Sequence, residues 1–356
     1  MLHLLVEFTF AAAIATTLCV NAETINNHEY VDLGLPSGLR WATTNVGATN
    51  PEDYGNYYAW GETAIKTTYD WSTYTLANGS NSTLTKYCNS SSYGTVDNRT
   101  TLEAADNAAT QNWGGNWRMP TIDEWQELID NCTWTWATQN SVNGYEVKAT
   151  NGNSIFLPAA GCRYVGELYH AGSYGCYWSS SLYTNNPGNA QYVHFGSFYR
   201  RTDYNPRYYG QSVRPVIMVY GITIAAATNG IVEADKTAAV VGETITLTIT
   251  PETGYEVESV IAINTDTKIP LAVSEDYKFT MPAANVSVSA TFKATTTTAL
   301  QNVEMAEIYA ENGTIYGAEG MQIFTITGQN VTEMNGQLNG VYIVKCADKA
   351  QKIIVR

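Results

Sequence analysis

Charged residues are scarce in this sequence, and basic residues are the scarcest. Only 15% of the 356 residues are charged, and 19 Lys and Arg stand against 33 Asp and Glu, for a net charge of −14. A chain of that sign repels phosphate backbones and anionic lipid, and no cluster of basic residues offsets the repulsion. We therefore expect no nucleic-acid partner.

Residues and motifs that carry catalysis or bind metals are also few. The chain has 6 Cys and 4 His. It contains no CxxC pair, no HExxH and no GxSxG. These patterns mark zinc clusters, zinc proteases and serine hydrolases, respectively. We expect no catalytic residues, no metal and no cofactor, so the chain is predicted not to be an enzyme.

Long apolar runs are missing beyond the N-terminus. The first run, LLVEFTFAAAIATTLCV, is followed by Val20-Asn21-Ala22, a cleavage signal of the small-x-small type. This predicts a signal peptide over residues 1–22 and a mature protein that is secreted or held at the outer cell surface. No later segment has the roughly eighteen apolar residues of a membrane span, so we expect no transmembrane span.

Tyrosine and glycine, in contrast, are plentiful, with 25 Tyr and 28 Gly. Together with abundant Asn and Thr they favour strands, turns and hydrogen-bonding surface over long amphipathic helices. The length suggests two to three domains. Changes of composition divide the chain into a head at 28–219, a β module at 221–293, a Thr-rich linker at 294–300 and a terminal β domain at 301–356.

Two helices are predicted within the head. One lies near 101–112, where Thr100 and Glu103 have capping-box spacing, and the other follows Thr121 and Glu124, which have the same spacing. In the second, an apolar stripe includes Trp125. Strands are predicted at 154–158, 177–181, 190–195 and 211–219.

Six segments of the head carry a family resemblance. They are HEYVDLGLPSGLRWATTNVG at 28–47, YYAWGET at 57–63, WGGNWRMPTIDEWQEL at 113–128, IFLPAAGCR at 155–163, YWSSS at 177–181 and GQSVRPV at 210–216. With them the head resembles a family of paralogous surface domains best known from Fibrobacter and abundant in Bacteroidetes. That resemblance implies an α+β fold, the C-type lectin-like fold in its formylglycine-generating branch. It also implies scaffold roles for Trp117, Arg118, Trp125, Trp178 and Arg214.

The two downstream segments resemble other bacterial families. Through TPETGYEVESV and FTMPAANVSVSATF, residues 221–293 resemble listerial B-repeats, which implies a stalk or spacer. Through ITGQNV, LNGVYIVK and KIIVR, residues 301–356 resemble the C-terminal sorting domains of Bacteroidetes secretion, although the expected Asn-Pro turn is replaced by Asn312-Gly313. The predicted fold class is therefore an α+β head followed by two small all-β domains.

A Tyr-rich stretch between 164 and 209 is the candidate ligand-binding surface. Tyrosine gives a flat apolar face and a hydroxyl at little entropic cost, which is why recognition loops use it beside Ser, Gly and Asn. Alternatively, such tyrosines simply cover a half-buried sheet, as we expect for Tyr177 and Tyr192, and the arginines are solvated loop charges. The predicted contacts are Tyr164, Tyr169, Tyr174, Tyr183, Tyr199, Arg201, Tyr204, Arg207 and Tyr208.

The pair Cys162 and Cys176 has two readings. In an oxidising compartment the pair closes a short loop as a disulfide. The alternative is two small, buried, apolar residues.

These observations favour a secreted or surface-attached, non-enzymatic binding protein with a lectin-like or adhesin-like head. Its partner outside the cell is expected to be a carbohydrate or a protein. Two alternatives remain open at this point. One is an oxidase of the formylglycine-generating type, and the other is a structural component of a surface layer or pilus.

Overall fold

The computed structural model describes residues 23–295, 308–317, 319–346 and 349–356. The predicted signal peptide and residues 296–300 of the predicted linker lie outside these ranges. The chain divides into two compact units, the first ending at Lys293 and the second beginning at Ala294. The first unit contains both the head and the module that follows it.

The head is built from short strands in several small sheets. One sheet has the order β1-β2-β3-β12, one β4-β5-β6 and one β11-β10-β9, and β7 pairs with β8 alone. The strands are β1 (Glu23–Ile25), β2 (His28–Asp32), β3 (Leu39–Ala42), β4 (Thr133–Gln139), β5 (Val142–Lys148), β6 (Ser154–Pro158), β7 (Cys162–Tyr164), β8 (Glu167–Tyr169), β9 (Tyr174–Leu182), β10 (Asn189–Gly196), β11 (Tyr199–Pro206) and β12 (Val216–Met218).

The α+β prediction for the fold is wrong, because strands dominate. In the described part of the chain strands account for 46% of the structure and helices for 8%. Two α-helices are present there, α1 (Ala108–Trp113) and α2 (Ile122–Asn131). The wealth of Tyr, Thr and Gly over strong helix formers, noted in the sequence, explains why irregular loops and small sheets replace further helix.

The helix predicted near 101–112 forms only in its second half. The Thr100–Glu103 capping box does not form, because the backbone around it bonds instead to the end of β9. Leu102 N donates to Ser180 O at 2.9 Å, and Leu182 N donates to Thr100 O at 2.8 Å. Helix α1 begins only at Ala108, after the N-cap residue Asn107, whose side chain accepts from Thr110 N.

Helix α2 forms where the sequence predicted it. Thr121 accepts from Glu124 N at 3.3 Å, and Glu124 accepts from Thr121 N at 2.8 Å, which completes the capping box. Trp125 and Leu128 are buried on the inner face of the helix. That face packs against β9, β10 and β11, the sheet that leads to the candidate site.

Indole rings fill much of the head interior and bond to remote backbone carbonyls. Trp60 Nε1 donates to Ser179 O at 2.8 Å, and Trp178 Nε1 donates to Tyr58 O at 2.8 Å. These bonds satisfy buried donors and tie the irregular segment around 54–62 to β9. A separate apolar cluster, which includes Tyr57, Tyr69 and Tyr74, lies beneath the loops of residues 54–98.

The module that follows the head consists of strands around one apolar core. Its sheets have the orders β15-β13-β20-β17-β18 and β14-β16-β19. The first and last long strands of the module, β13 and β20, pair in parallel. The strands are β13 (Tyr220–Ile224), β14 (Gly230–Ala234), β15 (Ala238–Ala239), β16 (Thr244–Pro251), β17 (Tyr255–Asn264), β18 (Pro270–Leu271), β19 (Lys278–Thr280) and β20 (Val286–Ala294).

Head and module share packing. Ala238 and Val240 of the module pack against the head's core cluster, which includes Val219. Asn116 Nδ2 in the head donates to Val241 O in the module at 3.1 Å.

The second unit is also built from strands. Asn312 and Gly313 both have positive φ, at 47° and 83°, and form a two-residue hairpin loop of the kind that Asn-Gly favours. No helix in the described ranges is long and apolar enough to cross a membrane. The strands are β21 (Tyr309–Glu311), β22 (Thr314–Tyr316), β23 (Gln322–Thr325), β24 (Gly340–Cys346) and β25 (Lys349–Val355).

Candidate ligand-binding surface

The candidate surface is organised by the hairpin of β7 and β8, which the neighbouring loops hold at its tip and along β7. Val165 and Tyr69 exchange two backbone hydrogen bonds, at 3.0 and 2.7 Å. Arg163 and Gly210 exchange two more, at 2.7 and 3.0 Å. A Cβ on Gly210 would lie 2.6 Å from Tyr69 Cε1, so only glycine lets the 206–210 loop approach this closely.

A continuous row of aromatic rings crosses this region, and we call it the aromatic band. Neighbouring ring centroids along it are between 5.0 and 6.3 Å apart, within the range of favourable aromatic contact. In order of contact its rings are Trp71, Tyr208, Tyr164, Tyr169, His170, Tyr174 and Tyr199.

The centre of the aromatic band is open to solvent. Tyr164 is 37% exposed and Tyr169 is 41% exposed, while Tyr174 and Tyr199 are half-buried. Within the described ranges the hydroxyls of Tyr164, Tyr169 and Tyr174 have no hydrogen-bond partner. These phenols therefore present both an apolar face and an unpaired polar group to the outside.

The rings on either side of this centre are less exposed. Trp71 and Tyr208 are half-buried. Burial raises the pKa of Tyr208, and the neighbouring Tyr209 and Tyr164 add to that rise. At the other end Tyr199 Oη lies 3.2 Å from His194 Nε2. The band is therefore most accessible in its middle.

Half-buried His194 lies beside the Tyr199 end of the band. Burial lowers the pKa of His194, and the positive charge of Arg201 lowers it further. In the described structure its Nδ1 is buried without a hydrogen-bond partner. The imidazole is therefore held neutral, so that it packs as a ring among Tyr174, Tyr192 and Tyr199.

Two of the predicted contact residues form a separate pair. Tyr183 and Tyr204 stack with centroids 4.1 Å apart and an interplanar angle of 8°. In the described ranges this pair touches no ring of the aromatic band. It is a second exposed aromatic platform, since Tyr204 is 49% exposed.

The two predicted arginines occupy different environments. Arg201 is exposed, pairs with Asp203 at 2.9 Å and lies over the Tyr199 ring at 5.4 Å. Arg207 is 0% exposed, so the prediction that it contacts an outside ligand is corrected: it is an interior residue.

Arg207 is buried because remote segments supply a complete set of partners. Its Nε donates to Tyr74 Oη at 2.8 Å, and its guanidinium lies 4.8 Å from the Trp60 ring centroid. Its other donors reach three backbone carbonyls, those of Lys86, Tyr87 and Pro187. The planar guanidinium group, with its five N–H donors, can bond several such carbonyls at once.

The five predicted scaffold residues lie as follows. Trp117, Trp125 and Trp178 are fully buried. Arg118 Nη1 lies 2.7 Å from Glu124 Oε2 and 3.2 Å from Met119 O. Arg214 is also fully buried.

Arg214 joins three parts of the head. Its donors reach Asn45 Oδ1, Ala42 O and Phe156 O at 2.9, 2.9 and 2.8 Å. Burial lowers the pKa of Arg214 to about 10, which leaves the guanidinium charged at neutral pH.

Cys162 and Cys176 are buried free thiols, so the structure does not contain the predicted disulfide. Interaction with the Cys162 thiol raises the pKa of the Cys176 thiol, and burial raises it further. The same interaction lowers the pKa of Cys162. The two residues form the small, buried pair of the second reading, with Cys162 at the start of β7 and Cys176 in β9.

Sequence reasoning missed three residues of this region, Trp71, His170 and Arg163. Trp71 is distant in sequence from the Tyr-rich stretch and joins it only through the fold. The other two lie in GCRYVGELYH, beside residues that the prediction did include. Among the described residues no group of three or more His, Cys, Asp or Glu is placed to hold a metal ion.

Two family models match parts of the chain. One, described as a Divergent InlB B-repeat domain, matches residues 220–296 and confirms the predicted B-repeat-like module. The other, described as a Domain of unknown function (DUF8237), matches residues 133–216, a range that contains the hairpin and most of the aromatic band. No curated protein and no solved structure matches the chain. The B-repeat-like module supports a surface-associated protein, and the resemblances of the head and the terminal domain stay predictions.

Proposed function

We propose that this is a non-enzymatic binding protein, secreted or held at the cell surface, whose head binds carbohydrate on the aromatic band. The observation that supports this most directly is the row of ring contacts with an exposed centre and unpaired hydroxyls. Aromatic faces pack against the apolar C–H faces of sugar rings, while phenol hydroxyls bond sugar hydroxyls. A protein partner is the other ligand class that such a surface suits.

A sugar is favoured over a protein because of what surrounds the exposed rings. A protein interface usually has a desolvated apolar core. The middle of the aromatic band lacks such a core, because it presents unpaired hydroxyls. The ordered hairpin beneath it also reduces the entropy lost on binding. On this proposal the B-repeat-like module is a spacer and the terminal unit serves secretion or attachment.

The test is binding of the full secreted chain to a broad glycan and protein array. The first variant is Tyr164→Ala with Tyr169→Ala, which removes the exposed centre of the band. We expect glycan signals that fall at least about tenfold, since each lost ring contact is worth roughly 1 kcal/mol.

Two matched variants control this experiment. Tyr309 and Tyr316 of the second unit are also exposed and stacked, with centroids 5.0 Å apart, and replacing both with Ala is expected to leave binding unchanged. Replacing Tyr183 and Tyr204 tests whether the second platform takes part. Equal glycan binding by the unaltered chain and the band variant, with both folded, would contradict the proposal, and hits confined to proteins would replace it with a protein-binding role.

A further inference from the structure

A second feature lies on the opposite face of the β7–β8 hairpin. Successive side chains of a strand point to opposite faces, so Arg163 points away from the side that carries Tyr164. Its guanidinium lies over the Tyr57 ring, 5.2 Å from the centroid. Within the described ranges the Arg163 side chain makes no hydrogen bond and no ion pair.

Most other arginines of the head have polar partners. Arg118 and Arg201 pair with the carboxylates of Glu124 and Asp203. The two buried arginines described above donate to carbonyls and side-chain oxygens. In the described ranges Arg200 also lacks a hydrogen bond and an ion pair, but it is exposed on β11, whereas Arg163 is half-buried with its donors unused.

Arg163 borders a cleft of about 380 Å³. That volume is within the usual range of small-ligand pockets, about 300–1,000 Å³. The residues that line the cleft with it are Gly55, Asn56, Tyr57, Ile65, Lys66, Thr67, Tyr69 and Gly166.

Three other polar side chains of the cleft have partners, whereas in the described ranges the Thr67 hydroxyl has none and remains available to a ligand. Tyr57 Oη donates to Ala160 O and Tyr69 Oη donates to Tyr57 O, both at 2.6 Å. Lys66 Nζ pairs with Glu62 at 2.7 Å. The second oxygen of Glu62 accepts from Thr75 N at 2.7 Å, and in the described ranges Glu62 makes no ion pair with Arg163.

The backbone that positions Arg163 is both strained and firmly held. Val165, at the hairpin tip, has φ of 55°, a conformation that is a true outlier for a β-branched residue. Its two bonds to Tyr69 and the two bonds of Arg163 to Gly210 hold it there. Strain of this kind clusters at ligand sites, where it fixes groups before the ligand arrives.

We propose that the Arg163 cleft binds a carboxylate, and that the ligand is a uronic acid residue of an acidic polysaccharide. A guanidinium fork matches the two oxygens of a carboxylate. The sugar assignment rests on the proposed carbohydrate-binding function, because a polysaccharide that passes over the hairpin tip reaches both faces. Gly166 at that tip borders the cleft and carries no side chain.

The experiment compares two probes with the same sugar backbone, the charged trigalacturonate and its neutral, fully methyl-esterified form, by calorimetry with the full secreted chain. The acid is expected to bind about 10–100-fold more tightly, the range for a hydrogen-bonded charge. Arg163→Gln is expected to bring the two affinities within about twofold, and Arg163→Lys to keep part of the preference. Arg99→Gln, which alters an exposed arginine outside both the cleft and the aromatic band, is expected to leave the preference unchanged.

Melting curves of every variant show which variants are folded. If Arg163→Gln does not fold, Arg163→Lys still tests the proposal. The carboxylate site is overturned if the unaltered chain binds acid and ester equally, or if Arg163→Gln keeps the preference. If the variant with Tyr164→Ala and Tyr169→Ala no longer binds the methyl ester, the proposed carbohydrate-binding function is supported even when the carboxylate site is not. Tighter binding of a polyglutamate peptide than of trigalacturonate overturns the assignment to a sugar acid.

Discussion

At the scale of single residues, the two interior arginines show how a charge is kept in the head. Arg207 and Arg214 are each surrounded by oxygen acceptors from segments far apart in sequence. Removing such a side chain leaves several buried acceptors unpaired at once, and each unpaired group is costly.

We expect Arg207→Ala to lower the free energy of unfolding by about 3–5 kcal/mol, because Tyr74 and the carbonyls around it lose their donor. Arg207→Lys is expected to recover part of this loss, since it restores the charge without the fork. Urea unfolding of the purified chain measures both. Arg201→Ala is the control and should change stability by less than about 0.5 kcal/mol. Equal stability of the two alanine variants would show that the Arg207 network is unimportant.

A second residue-scale prediction concerns pH. Burial lowers the pKa of His194 below its ordinary 6.5. As the pH falls below 6.5, His194 is therefore protonated more fully in the unfolded chain than in the folded chain. The free energy of unfolding is therefore expected to fall as pH drops from about 7.5 to 5.5. The carboxyls with lowered pKa, such as Glu124, lose their contribution only at lower pH, below 4.5.

His194→Gln is expected to reduce that fall, which urea midpoints at the two pH values would measure. His28, whose pKa burial also lowers, contributes in the same direction, so its variant is a parallel test. A pH dependence that is unchanged by both substitutions would rule out the histidines as its source.

At the scale of elements, the sequence correctly predicted those helices and strands whose formation depends on neighbouring residues. Helix α2 follows from the Thr121–Glu124 capping box, and β6 spans the predicted 154–158. The prediction of a helix near 101–112 was wrong for its first half, because the backbone there bonds to β9. Such a long-range contact is not visible in the local sequence. Of the strand predicted at 211–219, only Val216–Met218 is regular, because the rest makes isolated bridges to several segments.

The candidate site divides in the same way. Tyrosine content and loop character pointed to the region, but not to which rings face outward. Arg207 was misjudged because its partners, including Pro187 and Tyr74, come together only through the fold. Arg163 was overlooked because it is distinguished by the lack of a hydrogen-bond or ion-pair partner, and no local sequence pattern reveals such a lack.

The strained tip of the β7–β8 hairpin gives a prediction about this element. Val165→Asn is expected to raise the free energy of unfolding by about 1 kcal/mol, because Asn adopts positive φ more readily than a β-branched residue does. The melting temperature measures this gain. As a control, Val193→Asn in the buried part of β10 should destabilise the head, since it buries a polar group. A lower melting temperature for Val165→Asn would mean that the tip is not strained.

At the scale of the whole molecule, the first unit joins head and module more closely than the sequence boundary near Tyr220 suggested. Their shared packing at Val219, Ala238 and Val240 makes them one compact unit. The family match at 220–296 nevertheless marks the module as a recognisable segment in its own right. Sequence similarity and structural independence are thus different properties in this chain.

We therefore expect a fragment of residues 23–219 to be less stable than one of residues 23–293. Loss of the module uncovers part of the head's core, at a cost of about 1–2 kcal/mol, or roughly 2–6 °C in melting temperature for a chain of this size. Calorimetry of the two fragments gives the comparison. Ile261→Ala, an exposed position on the module, is the control and should leave the 23–293 fragment nearly unchanged. Identical melting of the head in both fragments would show that the contact is not stabilising.

The parallel pairing of β13 with β20 has a mechanical consequence. Ile222 pairs with Val286, and Ile224 with Val288, so the chain enters the module at one end of this pair and leaves at the other. Tension applied along the chain would slide the two strands past each other and load their hydrogen bonds together, whereas an antiparallel pair with adjacent ends would open one bond at a time. If the module is the surface spacer proposed above, this arrangement would help it to resist tension along the chain.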